Sequence, residues 1–195
     1  MNWKNPRSVE ATITRLTREI AKIDEVFYMV NETDDRVLYA GMLERKRDDV
    51  VRAAVLQMHT AIEDLLNSQI ICRILNVKPQ DRARKMRSKL AQALRSMLVG
   101  PRSLGFEMKL NFAVVLGIVR TGTKDRLTEL NTLRNKCSHN WLLKAPVRRG
   151  KRPKQKKSPL LLYRGRDLYN VDVLAEFLAE YGPIYYKLFG RYLDL

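Results

Sequence analysis

The chain predicts an all-α fold, and three observations predict it. Apolar residues recur at helical spacing in one segment after another. Helix formers such as Leu, Ala, Arg, Lys and Glu outweigh β-branched runs. The residues are 45% apolar and 30% charged, the balance of a packed chain rather than a disordered one. At 195 residues one ordinary domain is expected, large enough to bury about 70% of the surface its unfolded form exposes. The expected layout is a single helical domain over 1–195. It comprises a bundle through residue 143, a basic loop or insert at 144–166, and a C-terminal helix at 167–195 that packs on the bundle or at a dimer interface.

Taken in order, Val9, Ile13, Leu16, Ile20, Ile23, Phe27 and Val30 make a stripe at intervals of four and three, with Ser8 placed to cap its start. From Asp34 or Asp35 a second helical region runs toward Leu75, either as one very long helix or with a break between Gly41 and Asp49. In its second half His59 and Glu63 fall one turn apart, a spacing at which imidazole and carboxylate can pair. Asn76 to Gln80 reads as a turn, followed by a basic helix from Asp81 to Val99 that Gly100-Pro101-Arg102-Ser103 ends. Leu104 to Val119 is a shorter helix with Phe106, Leu110, Ala113, Val114 and Gly117 at core spacing. Thr121-Gly122-Thr123 breaks the chain before a helix whose buried face is Leu127, Leu130 and Leu133. Asn140-Trp141 and Pro146 mark its end. Val171 to Leu193 reads as a last helix broken at Gly182-Pro183. Its aromatics Phe177, Tyr181, Tyr185, Tyr186, Phe189 and Tyr192 are placed for a core, for a dimer interface, or for stacking on bases.

Charge narrows the partner class. The formal net charge is +16, and the 23 residues from Lys144 to Arg166 hold ten Lys or Arg and no acid. Lys144, Arg148, Arg149, Lys151, Arg152, Lys154, Lys156 and Lys157 form its densest part, with Arg164 and Arg166 behind them. Such a segment attracts polyanions by counterion release, so RNA, or DNA, is the expected partner. An anionic membrane surface fits less well, because the segment lacks amphipathic apolar residues. Cys72 and Cys137 offer no disulfide framework and no metal-ligand spacing. The start of the chain leads into a polar helix rather than an apolar signal core, and the longest apolar run, Phe112 to Val119, is too short to span a bilayer. A cytoplasmic protein without a metal or other cofactor is therefore expected. Phosphate-loop, dinucleotide and nucleophile-elbow patterns are all missing from the sequence.

The stretch that carries chemistry is Arg134-Asn135-Lys136-Cys137-Ser138-His139. An arginine stays charged whereas an imidazole changes charge near neutral pH, so the two can hold a phosphate and move a proton. With 22 arginines in the chain, the spacing counts only through its context. On an ideal helix Arg134 and His139 are rotated by about 140°, so sharing one site requires the helix to end or distort near His139, or the arginine stem to reach round. Asn135 and His139 are one turn apart. Cys137 reads as a passive helix residue rather than a nucleophile.

The segment Leu130 to His139, an arginine, a polar residue, variable positions and a histidine, resembles the signature of the HEPN superfamily. The block Leu104 to Gly117 is similar to the element that precedes the motif in mannitol-operon-repressor-like HEPN proteins. The helix carrying Glu63 looks like the acidic-residue helix of related domains. The resemblance covers roughly Val50 to Trp141 and leaves the basic insert and C-terminal helix unexplained; Ser138 stands where alanine is frequent. It implies an α-helical bundle that dimerises and a metal-independent endoribonuclease. His139 would be the general acid/base, Arg134 would stabilise the phosphorane, Asn135 would orient phosphate or imidazole, and Glu63, with His59, would complete the pocket. Toxin, phage-defence factor, and non-catalytic transcriptional regulator or nucleic-acid-binding module are all compatible with it, with an antitoxin or regulatory protein as the expected partner.

Overall fold

The computed structural model describes residues 36–100, 103–140 and 161–193, with isolated positions between 11 and 25 that are helical and exposed. The stripe from Val9 to Val30, its cap Ser8 and the basic run from Lys144 to Lys157 lie outside the described residues. The protein is all-α, with one short hairpin among the described residues. The described residues fall into two units, one of residues 58–131 and 181–193, the other of 36–57, 132–140 and 161–180.

Helix α1, Arg36–Ile74, runs 39 residues without interruption, so of the two arrangements open to it the sequence takes the single long helix. Val51, Val55, Met58, Ile62, Leu66 and Ile70 are buried along it at intervals of three and four. Its end is closed by Asn76 at φ 45. Val77 N donates to Cys72 O at 2.9 Å and Asn76 N to Arg73 O at 3.1 Å, the paired bonds of a Schellman cap. Lys85 Nζ adds a cation there, donating to the carbonyls of Leu75 at 3.2 Å and Asn76 at 2.6 Å.

The helix expected from Asp81 to Val99 is two helices: α2, Arg82–Met86, and α3, Lys89–Val99. Ser88 divides them. Its backbone leaves the helical region (ψ 154) and its hydroxyl accepts from Ala91 N at 3.1 Å, so a serine that costs little mid-helix is used as an N-cap. Helix α4 covers Phe106–Val115, not Leu104 to Val119. Gly117 is no core residue: it sits at φ 69, with Gly117 N on Val114 O at 3.0 Å and Ile118 N on Ala113 O at 2.8 Å. This is a second Schellman cap, in the left-handed conformation that glycine adopts without steric cost.

Helix α5, Thr121–Asn140, includes Thr121-Gly122-Thr123 as its first turn rather than breaking before it. Arg120 O accepts from Lys124 N at 3.0 Å and so begins the helical ladder. Leu127, Leu130 and Leu133 are buried as their spacing requires, joined by Cys137 one turn on. Helix α6, Val171–Leu193, is likewise unbroken and carries Pro183 inside it. A proline at an interior position costs about 3 kcal/mol. Phe177, Leu178, Tyr181, Tyr185 and Leu188 are buried around it, and at about 1.5–3 kcal/mol for each large side chain that burial outweighs the break.

Strands β1, Leu162–Tyr163, and β2, Arg166–Asp167, pair antiparallel with Tyr163 opposite Arg166. Arg164 and Gly165 both have positive φ, the type I′ turn that matches strand twist. The end of the expected basic loop is thus an ordered hairpin. Arg164 pairs with Glu180 at 2.6 Å and Arg166 with Glu176, so two of the ten basic residues are met by acids. Tyr163 lies edge-on to Phe177, with ring centroids 5.5 Å apart. Most of the α6 aromatics belong to the core: Phe177, Tyr181, Tyr185 and Phe189 are buried, and Tyr181 donates to Arg126 O at 2.9 Å.

Candidate functional site

The motif occupies the last two turns of α5. The helix continues to Asn140 without a break between Arg134 and His139, so their positions on it stand about 140° apart. Arg134 is exposed, and its Nη1 donates to Asn135 Oδ1 at 3.1 Å. Ser138 Oγ donates back to Arg134 O at 3.1 Å, which holds this turn in helical form. Asn135 and His139 are one turn apart on the same helix; the side chain of His139 lies outside what the structure describes. Cys137 is buried, and burial pushes its thiol up to about 11. A thiol so placed is inert, as the passive reading expects.

Behind this turn, in the same unit, stands a buried polar cluster that spacing alone did not single out. Arg52 Nε donates to Asp48 Oδ1 at 2.8 Å, and Arg52 Nη1 donates to Cys137 O at 2.8 Å. The Tyr169 hydroxyl donates to the same Asp48 oxygen, and the Arg47 guanidinium donates to the Tyr169 carbonyl. Burial opposes the charge on Arg52, but the Asp48 hydrogen bond and carboxylate more than offset it, so its pKa is raised. Burial, then the bond to Asp48, pushes the Tyr169 hydroxyl well up, which keeps it a donor.

In the other unit, His59 and Glu63 form the pair their spacing suggested. His59 Nδ1 is 3.7 Å from Glu63 Oε2, and its Nε2 is 3.2 Å from Asn131 Oδ1. The imidazole is buried and lies against the Phe106 ring, centroids 4.4 Å apart. Lys109 Nζ donates to Glu63 Oε1; the Lys109 side chain is 3% exposed and that of Glu63 26%. Lys109 and Asn131 were missed in the sequence. The signal for Lys109 was present: Phe106, Lys109, Leu110 and Ala113 share one face of α4, so a lysine stands at a core position and must find an acid.

Among the described residues no three His, Cys, Asp or Glu side chains are grouped to hold a metal ion, and no helix is long and apolar enough to cross a membrane. No family model, curated protein or solved structure matches the chain.

Proposed function

We propose that this protein is a metal-independent endoribonuclease of the HEPN type, a cytoplasmic homodimer acting as a toxin or defence factor under the control of an antitoxin or regulatory partner. The observation that carries the reading is the end of α5, where Arg134 is exposed and hydrogen-bonded to Asn135, with His139 one turn beyond Asn135. In this reading the imidazole of His139 takes the proton from an RNA 2′-hydroxyl. The 2′ oxygen attacks the adjacent phosphorus, the P–O5′ bond breaks, and the departing 5′ oxygen takes a proton from an imidazolium. Arg134, its long stem reaching round the helix toward Asn135, meets the charge that gathers on the phosphorane, where a guanidinium acts strongly. Asn135 orients the phosphate or the ring. The products are a 2′,3′-cyclic phosphate and a 5′-hydroxyl.

His59 and Glu63 enter this reading as a structural network, because both His59 nitrogens face protein polar groups and its ring is packed on Phe106. The run Lys144, Arg148, Arg149, Lys151, Arg152, Lys154, Lys156 and Lys157 supplies affinity for the phosphate backbone. The test is a comparison of wild type with His139→Ala in single-turnover cleavage and in equilibrium binding to the same RNA. Cleavage should vanish while binding is nearly unchanged. Cleavage that survives the substitution would remove His139 from the mechanism, and RNA binding by an inert wild type would favour the regulator or binding module.

A further inference from the structure

The Asp48, Arg52 and Tyr169 cluster sits against the C-terminal turns of α5, at Cys137. The Cys137 carbonyl, in the C-terminal turns of α5, accepts from Arg52 Nη1 at 2.8 Å. The guanidinium is buried, and its other edge is fixed by Asp48 at 2.8 Å. Asp48 is in turn held by the Tyr169 hydroxyl, and the chain at Tyr169 by Arg47. Two segments distant in sequence, α1 and the chain at Tyr169, therefore converge on one carbonyl of a third, two residues before His139.

Stability alone does not call for such a device. A buried ion pair is no more stabilising than well-packed apolar residues of the same volume. What it offers is direction: the planar fork of an arginine fixes two partners at once, which a lysine cannot do. A cation at this end of α5 also complements the helix dipole. We infer that Arg52 is a positioning residue for the motif, held by Asp48 and Tyr169, and that it fixes the last turn of α5 and with it the backbone of His139. The inference rests on the proposed cleavage reading for its catalytic consequence, though not for its structural one.

The experiment uses the full chain, wild type, Arg52→Lys and Tyr169→Phe, with the folded fraction of each measured first. Misplacement by about 1 Å can cost about 100-fold in rate. Arg52→Lys should therefore lower kcat at least about ten-fold with KM within about two-fold, since substrate contacts are untouched. Tyr169→Phe should lower kcat less, in the same direction. Amide hydrogen exchange over 134–140 should accelerate in both variants while α4 keeps its protection. A folded Arg52→Lys with wild-type kcat and unchanged exchange overturns the inference, and so does a lowered Tm with kcat per folded molecule intact. If wild type does not cut RNA, the cleavage reading fails on its own, and the exchange at the end of α5 still decides whether Arg52 holds that turn.

Discussion

Replacing Lys109 with methionine removes the cation from an ion pair whose members differ in exposure, 3% for the Lys109 side chain and 26% for Glu63. Breaking a fully buried pair costs about 3–5 kcal/mol, because the partner is left charged and unpaired. In Lys109→Met the orphan is Glu63, which keeps a quarter of its surface in water, so the expected loss is about 2–3 kcal/mol. For a chain of this size that is a fall in Tm of about 4–12 °C. Glu63→Leu is the harsher change, since it strands the nearly enclosed ammonium, and its expected loss is the full range of about 3–5 kcal/mol. Removing both charges leaves an apolar pair, and Lys109→Met with Glu63→Leu should lie within about 1 kcal/mol of wild type. Urea unfolding of the four proteins, with m-values compared to confirm a common unfolded state, measures each term. A double variant no more stable than the weaker single variant would show that the two side chains are not coupled, and the account of this network would be wrong.

Gly117 and Gly122 make a matched pair. Both have open space where a Cβ would go, but only Gly117 has positive φ. Gly117→Ala should cost about 1–2 kcal/mol, whereas Gly122→Ala, in the first turn of α5, should be stabilising by up to about 1 kcal/mol; thermal melts separate them. Alkaline pH gives another test. The Cys137 thiol is raised from 9.0 to about 11, and the Tyr185 hydroxyl from 10.0 to about 12, each chiefly by burial. Groups raised in the folded state contribute fully below their unfolded values and lose that contribution as pH climbs through the folded ones. The urea midpoint should therefore hold to about pH 9 and fall between about pH 9 and 12, with the first part of the fall reduced in Cys137→Ala. A flat midpoint over that range would contradict the burial of both groups.

What the sequence made legible follows the range of the forces involved. The Leu127, Leu130 and Leu133 face, the long helix through His59 and Glu63, and the helix from Val171 to Leu193 all rest on periodicity, which is local. Errors came where one residue has two local uses. Ser88 was compatible with a helix interior and serves as a cap. Gly117 fitted a core register and ends the helix, and Pro183 signals a break that the buried aromatics around it override. The site divides in the same way. His59 and Glu63 were readable at i,i+4, as was the motif from Arg134 to His139, while the Arg52 bond to Cys137 O spans 85 residues and ends on a backbone atom that no side-chain pattern encodes. Lys109 to Glu63 spans 46 residues, and only a charge on an apolar face hinted at it.

The most direct measurement is the chemistry of the ends produced when purified wild-type protein meets end-labelled single-stranded RNA in excess EDTA. Fragments bearing 2′,3′-cyclic phosphate and 5′-hydroxyl termini are the predicted result, since they require only the 2′-oxygen, an imidazole and a guanidinium. Folded wild-type protein that binds the RNA and leaves it intact, or fragments ending in 3′-hydroxyl and 5′-phosphate, would contradict the account.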